Sequence, residues 1–196
     1  MRIKPTKAAV ALFMMTVLVI TTVAVAAQSP QSSSDNSVTI TGGFETDPRD
    51  HGRPVVLIAS MLGVTPDVFR EAFSGVTPVK VGFPTGDEAR ANKKALLKVL
   101  APYGITNEKL DEVSNYYRYK GALGQTWPQT KAAAVALVVD GKLTGNKITN
   151  AGAGYTSIPK VVIRVGNLTY TGVAVVSYTD DFKTNGSIAS INLKTP

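Results

Sequence analysis

The hydrophobic pattern of this 196-residue chain changes its period near Gly121, and this change constrains the fold more than any other feature. Before Gly121, apolar residues recur three and four positions apart, which is typical of amphipathic helices. After Gly121 they form short runs bounded by glycine-containing turns, which is typical of antiparallel strands. The sequence therefore predicts an α+β protein, with a small four-helix module over residues 50–120 followed by an antiparallel β module over residues 121–196.

The helical module shows a start signal for each of its four helices. Asp50 is predicted to cap the first helix, because a carboxylate accepts hydrogen bonds from the free amides of a first turn. Thr65 is predicted to cap the second helix and Thr106 the fourth. Thr85 and Glu88 have the spacing of a capping box, which opens the third helix.

The β module carries two strong hairpin signals, Asp140-Gly141 and Asn185-Gly186. Both central positions of a type I′ turn need positive φ, which Asn, Asp and Gly tolerate. Between these turns, residues 161–165 and 168–178 are predicted to be strands joined at Gly166-Asn167. The segments that start at residues 133 and 173 also form a weak internal repeat of apolar strand, glycine turn and alternating strand.

The N-terminus has the pattern of a secretory signal peptide over residues 1–27. Three basic residues precede an apolar run from Ala8 to Ala27, which ends in small residues suited to a signal peptidase. The alternative is an uncleaved anchor, because a helix of this length can just cross a bilayer. Either outcome predicts export to the periplasm, the cell surface or the medium. Residues 28–49 are predicted to be a flexible serine-rich tether, with residues 38–41 as a candidate short strand.

Charge and cysteine content exclude several classes of function. The formal net charge is +7, but the basic residues are scattered, which disfavours nucleic acid as a partner. The chain has no cysteine, which excludes disulfides, thiolate nucleophiles, zinc-thiolate sites and lipoprotein attachment. With one histidine in the chain, we expect no metal site and no cofactor. Membrane contact is predicted only through the N-terminal segment, if it is retained.

The segment TDPRDHGRP, residues 46–54, contains that histidine, His51, beside Asp50 and near Asp47. A carboxylate-oriented imidazole acting as a general base is one interpretation. However, the serines show no GxSxG signature for a nucleophile. The favoured interpretation is that Asp50 caps a helix and that the other charged side chains pair at the surface.

The glycine-rich stretch GAGYTSIP also has two interpretations. Closely spaced glycines can cradle a phosphate, but such a site needs a helix to follow, and Pro159 argues against one. The favoured interpretation is a turn in which Gly152 and Gly154 adopt angles closed to other residues while Tyr155 packs across the hairpin.

Residues 148–163, ITNAGAGYTSIPKVVI, resemble a glycine-tyrosine repeat found in bacterial surface, adhesin-like and phage tail-associated proteins. In that family the unit is a β module serving as architecture or attachment, with no catalytic residues. Ala151 departs from the pattern, since a second glycine is common there. The helical half is similar to predicted exported bacterial proteins of unassigned function that pair the same two halves, and this resemblance implies no activity.

The aromatic stretch NYYRYKGALGQTWP is a candidate ligand-binding surface. Tyr116, Tyr119 and Trp127 have the chemistry to stack on sugar rings or a peptide. The alternative is that Tyr117 and Trp127 fill the seam between the helical and β halves.

These patterns together predict an exported envelope or extracellular protein with a binding, adhesive or structural role. Its expected partner is an envelope polysaccharide or another surface protein. The alternative is a hydrolase acting on envelope polymers through Asp or Glu side chains with His51.

Overall fold

The computed structural model describes residues 36–77, 79 and 84–194, which all belong to one compact unit. Within these residues, four helices and two antiparallel sheets confirm the α+β prediction. No helix in this described part is long and apolar enough to span a bilayer. The helices are α1 (Val55–Met61), α2 (Pro66–Ser74), α3 (Gly86–Leu100) and α4 (Asn107–Tyr116); the strands are β1 (Asn36–Thr41), β2 (Ala133–Val139), β3 (Lys142–Asn150), β4 (Lys160–Val165), β5 (Leu168–Ser177) and β6 (Ser187–Leu193).

Three of the four predicted helix caps are confirmed. The hydroxyls of Thr65 and Thr106 each accept a hydrogen bond from the first turn of α2 and of α4, respectively. Thr85 and Glu88 form the reciprocal capping box of α3. The prediction for Asp50 is wrong, because α1 starts without a side-chain cap and Asp50 ends a short 3₁₀ turn, Pro48–Asp50, that precedes it.

The larger sheet has the strand order β1-β4-β5-β6, and β2 and β3 form a separate hairpin. The tether prediction for residues 28–49 is wrong from residue 36 onward, but the candidate strand at 38–41 is confirmed as part of β1. Residues 36–41 form β1, which pairs along its length with β4, so the backbone of this segment is satisfied by a distant strand. Residues 28–35 and the predicted signal peptide, 1–27, lie outside the described residues.

The two predicted hairpin turns have different outcomes. Asp140 and Gly141 both have positive φ and join β2 to β3 as predicted. The Asn185-Gly186 prediction is wrong, because only Gly186 has positive φ and β5 connects to β6 through the longer loop 178–186. Asn185 is instead fully buried. The segments of the weak repeat each form an antiparallel strand pair, β2 with β3 and β5 with β6.

Two hydrophobic clusters form the core of this single unit. The first is built by the helices and includes Tyr117 and Trp127, and the second lies between the sheet and the β2–β3 hairpin. Phe44, after β1, packs against both clusters. Asn185 also joins the halves, since its Nδ2 donates at 2.9 Å to the carbonyl of Leu57 in α1. The helical and β segments therefore share one folded body.

Candidate functional site

The charged segment that contains His51 forms one wall of a groove of about 630 Å³. The opposite wall comes from the end of α2 and the residues after it. The local fold contributes to this arrangement, because the 3₁₀ turn lies shortly before α1 and its last residue, Asp50, contacts Arg70 of α2. The lining residues are Arg49, Asp50, His51, Arg53, Val55, Arg70, Phe73, Ser74 and Val76.

A bidentate ion pair between Asp50 and Arg70 fixes the two walls. Arg70 Nε donates to Asp50 Oδ1 at 2.8 Å, and Arg70 Nη2 donates to Oδ2 at 2.9 Å. Asp50 is only 2% exposed, so its charge depends on this partner. The hydrogen bonds to Asp50, reinforced by Asp67 and opposed by partial burial, raise the pKa of Arg70 above its usual range. Asp50 therefore holds α2 in place instead of capping α1.

Asp47 and Arg49 form a second, more exposed pair at the edge of the groove. The Asp47 carboxylate accepts from the backbone amide of Arg49 at 2.9 Å and from its guanidinium at 2.7 Å. The side-chain hydrogen bond from Arg49 is the main cause that lowers the pKa of Asp47 to about 2. Asp47 thus caps the 3₁₀ turn, which accounts for its position at the start of the segment.

Arg53 is held differently from the other two arginines of the groove. Its guanidinium lies 4.0 Å from the centroid of the Phe73 ring, in a cation–π contact. Its Nε is buried and has no hydrogen-bond partner in the described part of the chain. Burial lowers the pKa of Arg53, and the nearby Asp50 charge opposes this shift. The groove therefore contains one desolvated cation.

His51 lies at the rim of the groove, with an exposed side chain and a left-handed backbone, φ 50° and ψ 41°. The hydrogen bonds of Asp47 and Asp50 go to arginines, so neither carboxylate orients the imidazole as a general base requires. The groove has the location expected for the hydrolase alternative, but its carboxylates are engaged. Within the described residues, no three His, Cys, Asp or Glu side chains are placed to hold a metal ion.

The three predicted aromatic ligand-binding residues do not form one continuous exposed surface. Trp127 is buried, and its indole N–H donates to the carbonyl of Gly154 at 2.8 Å. Tyr119 lies beside Trp127, with ring centroids 6.4 Å apart. Tyr116 packs instead on Phe182, with centroids 4.3 Å apart. The position of Trp127 matches the alternative of a seam residue, whereas Tyr116 and Tyr119 remain partly exposed.

The GAGYTSIP stretch is a turn, in agreement with the favoured interpretation. Gly152 and Gly154 have φ of 66° and 82°, which side chains rarely adopt. Tyr155 is 1% exposed, its hydroxyl accepts from the amide of Ala132 at 2.9 Å, and its ring stacks on Phe44. The motif therefore builds the β core.

The outward side of β2 is apolar, a feature that the sequence analysis missed. Val135, Leu137 and Val139 are 47%, 44% and 58% exposed, and they form a row that we call the β2 surface. On β3, Lys147 lies opposite Val135 and Lys142 lies opposite Val139. The sequence signal was the run AAAVALVV. A strand with one solvated face normally alternates apolar and polar residues, but this run is apolar at every position.

The groove and the β2 surface differ in the chemistry they offer. The groove presents a guanidinium on an aromatic ring, and the β2 surface presents aliphatic side chains next to lysines. Comparisons of the chain with family models, with curated proteins and with solved structures give no match.

Proposed function

We propose that this protein is exported and attaches to another protein of the cell envelope through its β2 surface. The observation that carries the proposal is the exposed row of Val135, Leu137 and Val139, which is longer than the exposed apolar pair Val173 and Val175 on β5. Single exposed apolar residues are ordinary, but an aligned row on one face is typical of an interaction site. The proposed role is binding, adhesive or structural, and involves no catalysis.

The lysines beside the row define the chemistry of the partner. Lys142 and Lys147 lie on β3, directly across from the two ends of the row. Opposite charge at the edge of an apolar contact speeds association and fixes its register. The matching surface is therefore an apolar strip bordered by acidic side chains.

Two sequence features support the same role. The N-terminal pattern predicts export, and the turn around Tyr155 resembles repeats of surface proteins that serve in attachment. Tyr116 and Tyr119 remain separate candidate contacts for an envelope polysaccharide, since both are partly exposed.

The test replaces two residues of the β2 surface, Val135→Thr together with Leu137→Thr. Threonine keeps the strand preference and removes apolar contact. Each half-exposed side chain contributes about 1 kcal/mol when covered, so we expect a loss of about 2 kcal/mol, or roughly 30-fold in affinity. In fractionated cells, the variant should move from the washed envelope into the soluble exported fraction.

A matched control is available on the other side of the β half. Val173→Thr with Val175→Thr makes a comparable change from aliphatic side chains to threonine on β5, whose exposed side chains lie on the sheet face opposite its core side. This variant should stay with the envelope. Equal release of both variants, or retention of both, contradicts the proposal.

A further inference from the structure

The three arginines of the groove are not equivalent. Arg49 and Arg70 are both bonded to carboxylates, at 2.7 Å to Asp47 and at 2.8 Å to Asp50. Arg53 has no ion pair within the residues that the structure describes, and both oxygens of Asp50 already accept from Arg70. The positive charge of Arg53 is therefore not bonded to a carboxylate.

The surroundings of Arg53 favour an anion. Its planar face lies over Phe73, and stacking of this kind leaves the edge of a guanidinium free for hydrogen bonds in its plane. Its Nε is buried without a hydrogen-bond partner, and a negative charge at the terminal nitrogens of the same guanidinium would offset part of the cost of burying this cation. A carboxylate matches the guanidinium fork in geometry and cancels its charge.

We propose that the groove is a binding site for a monocarboxylate with a small aliphatic body. The ligand carboxylate accepts hydrogen bonds from the terminal nitrogens of Arg53. The aliphatic body lies against the apolar lining residues Val55, Phe73 and Val76. This site shares no residue with the β2 surface, so a test of butyrate binding does not depend on the outcome for the attachment role.

The charges of the lining select a monoanion over a dianion. The lining includes Arg49, Arg53 and Arg70, but Arg49 and Arg70 are already bonded to Asp47 and Asp50, so one guanidinium is left to neutralise one negative charge. The second charge of a phosphate or sulfate would meet no further unbonded guanidinium among these lining residues and would be repelled by the carboxylates. The Asp50–Arg70 pair keeps the walls in place before the ligand arrives, which lowers the cost of ordering them.

The test is a titration of the folded protein, followed by NMR of its backbone amides, with butyrate, butyramide and sulfate as probes. A ligand with about six non-hydrogen atoms should bind with a Kd on the order of millimolar. We expect butyrate to shift amides around Arg53 and Phe73 in a saturable way. Butyramide, which has nearly the same shape without the charge, and sulfate should bind at least about tenfold more weakly.

Variants assign the effect to Arg53. Arg53→Gln should lower butyrate affinity at least about tenfold. The affinity of Arg53→Lys should lie between those of the parent chain and Arg53→Gln, because lysine keeps the charge but lacks the planar pair of guanidinium donors. Arg90→Gln, an exposed change in α3, should bind butyrate as the parent chain does. Absence of saturable butyrate binding, equal binding of butyramide or sulfate, or full affinity in Arg53→Gln overturns the proposal. The comparison of the three probes on the parent chain holds even where Arg53→Gln does not fold.

Discussion

Replacement of Asn185 by alanine tests how the helices are joined to the β half. The Asn185 amide donates to the Leu57 carbonyl and to the Tyr117 hydroxyl, each at 2.9 Å. Its Oδ1 accepts from Ser60 Oγ at 2.9 Å and from the Thr179 amide at 3.2 Å. Each lost bond costs about 1 kcal/mol, but Ser60 keeps a second acceptor in Leu57. We expect Asn185→Ala to lower the free energy of unfolding by about 3 kcal/mol.

The assay is urea unfolding followed by circular dichroism at neutral pH. In thermal unfolding, the same loss of about 3 kcal/mol should lower the Tm by about 9 °C for a domain of this size. Asn192→Ala, at an exposed position of β6, is the matched control and should change stability by less than about 0.5 kcal/mol. If Asn185→Ala lowers the free energy of unfolding no more than the control does, Asn185 does not join the helices to the β half.

Three further predictions follow from buried charge, burial of a phenol and the N-terminal pattern. Asp50→Asn should destabilise the fold by about 3 kcal/mol in urea, because it leaves Arg70 without its buried counter-charge; an unchanged midpoint would contradict this. Burial raises the pKa of Tyr117 from 10.0 to about 12, so its contribution is complete below pH 10 and is lost as pH rises toward 12. Stability of the parent chain should therefore fall more steeply above pH 10 than that of Tyr117→Phe, and equal slopes would contradict burial as the cause. N-terminal sequencing of exported material should begin at Ala27 or Gln28, whereas a start at Met1 would show that the segment is retained.

The helices were predictable because their signals are local. Thr65, Thr106 and the pair Thr85 and Glu88 act on amides within their own first turn, so the spacing alone identifies them. The turn at Gly152 and Gly154 was predictable for a similar reason, since positive φ is a property of single residues.

The failures all involve partners far away in the sequence. The tether prediction covered β1 except for the candidate strand 38–41, because the strand needs a distant partner, β4, where Val38 pairs with Ile163, and Val38 and Ile40 pack on the β core. Asp50 was assigned to the nearest helix, but the guanidinium of Arg70 in α2 attracts it more strongly than backbone amides do. Asn185 looked like a turn residue, whereas its amide satisfies buried groups from α1 and from Tyr117.

The candidate sites show the same limit. The sequence identified His51 and its charged neighbours as unusual, but pairing with arginines decided which groups are free, and only the fold shows this pairing. Trp127 is buried in the helical cluster and donates to Gly154 in the β half, and only the fold shows these two contacts. The β2 surface was visible as an apolar run, but which side faces water follows from the packing of the hairpin on the sheet.

Site-specific photo-crosslinking in living cells tests the attachment role most directly. A benzophenone amino acid at Leu137, in the centre of the β2 surface, should give one discrete adduct that contains a second, different envelope protein. The same probe at Val173, which is equally exposed at 44% on β5, should give none. No adduct from Leu137, an adduct that contains only a second copy of this chain, or the same adducts from both positions would contradict attachment through the β2 surface.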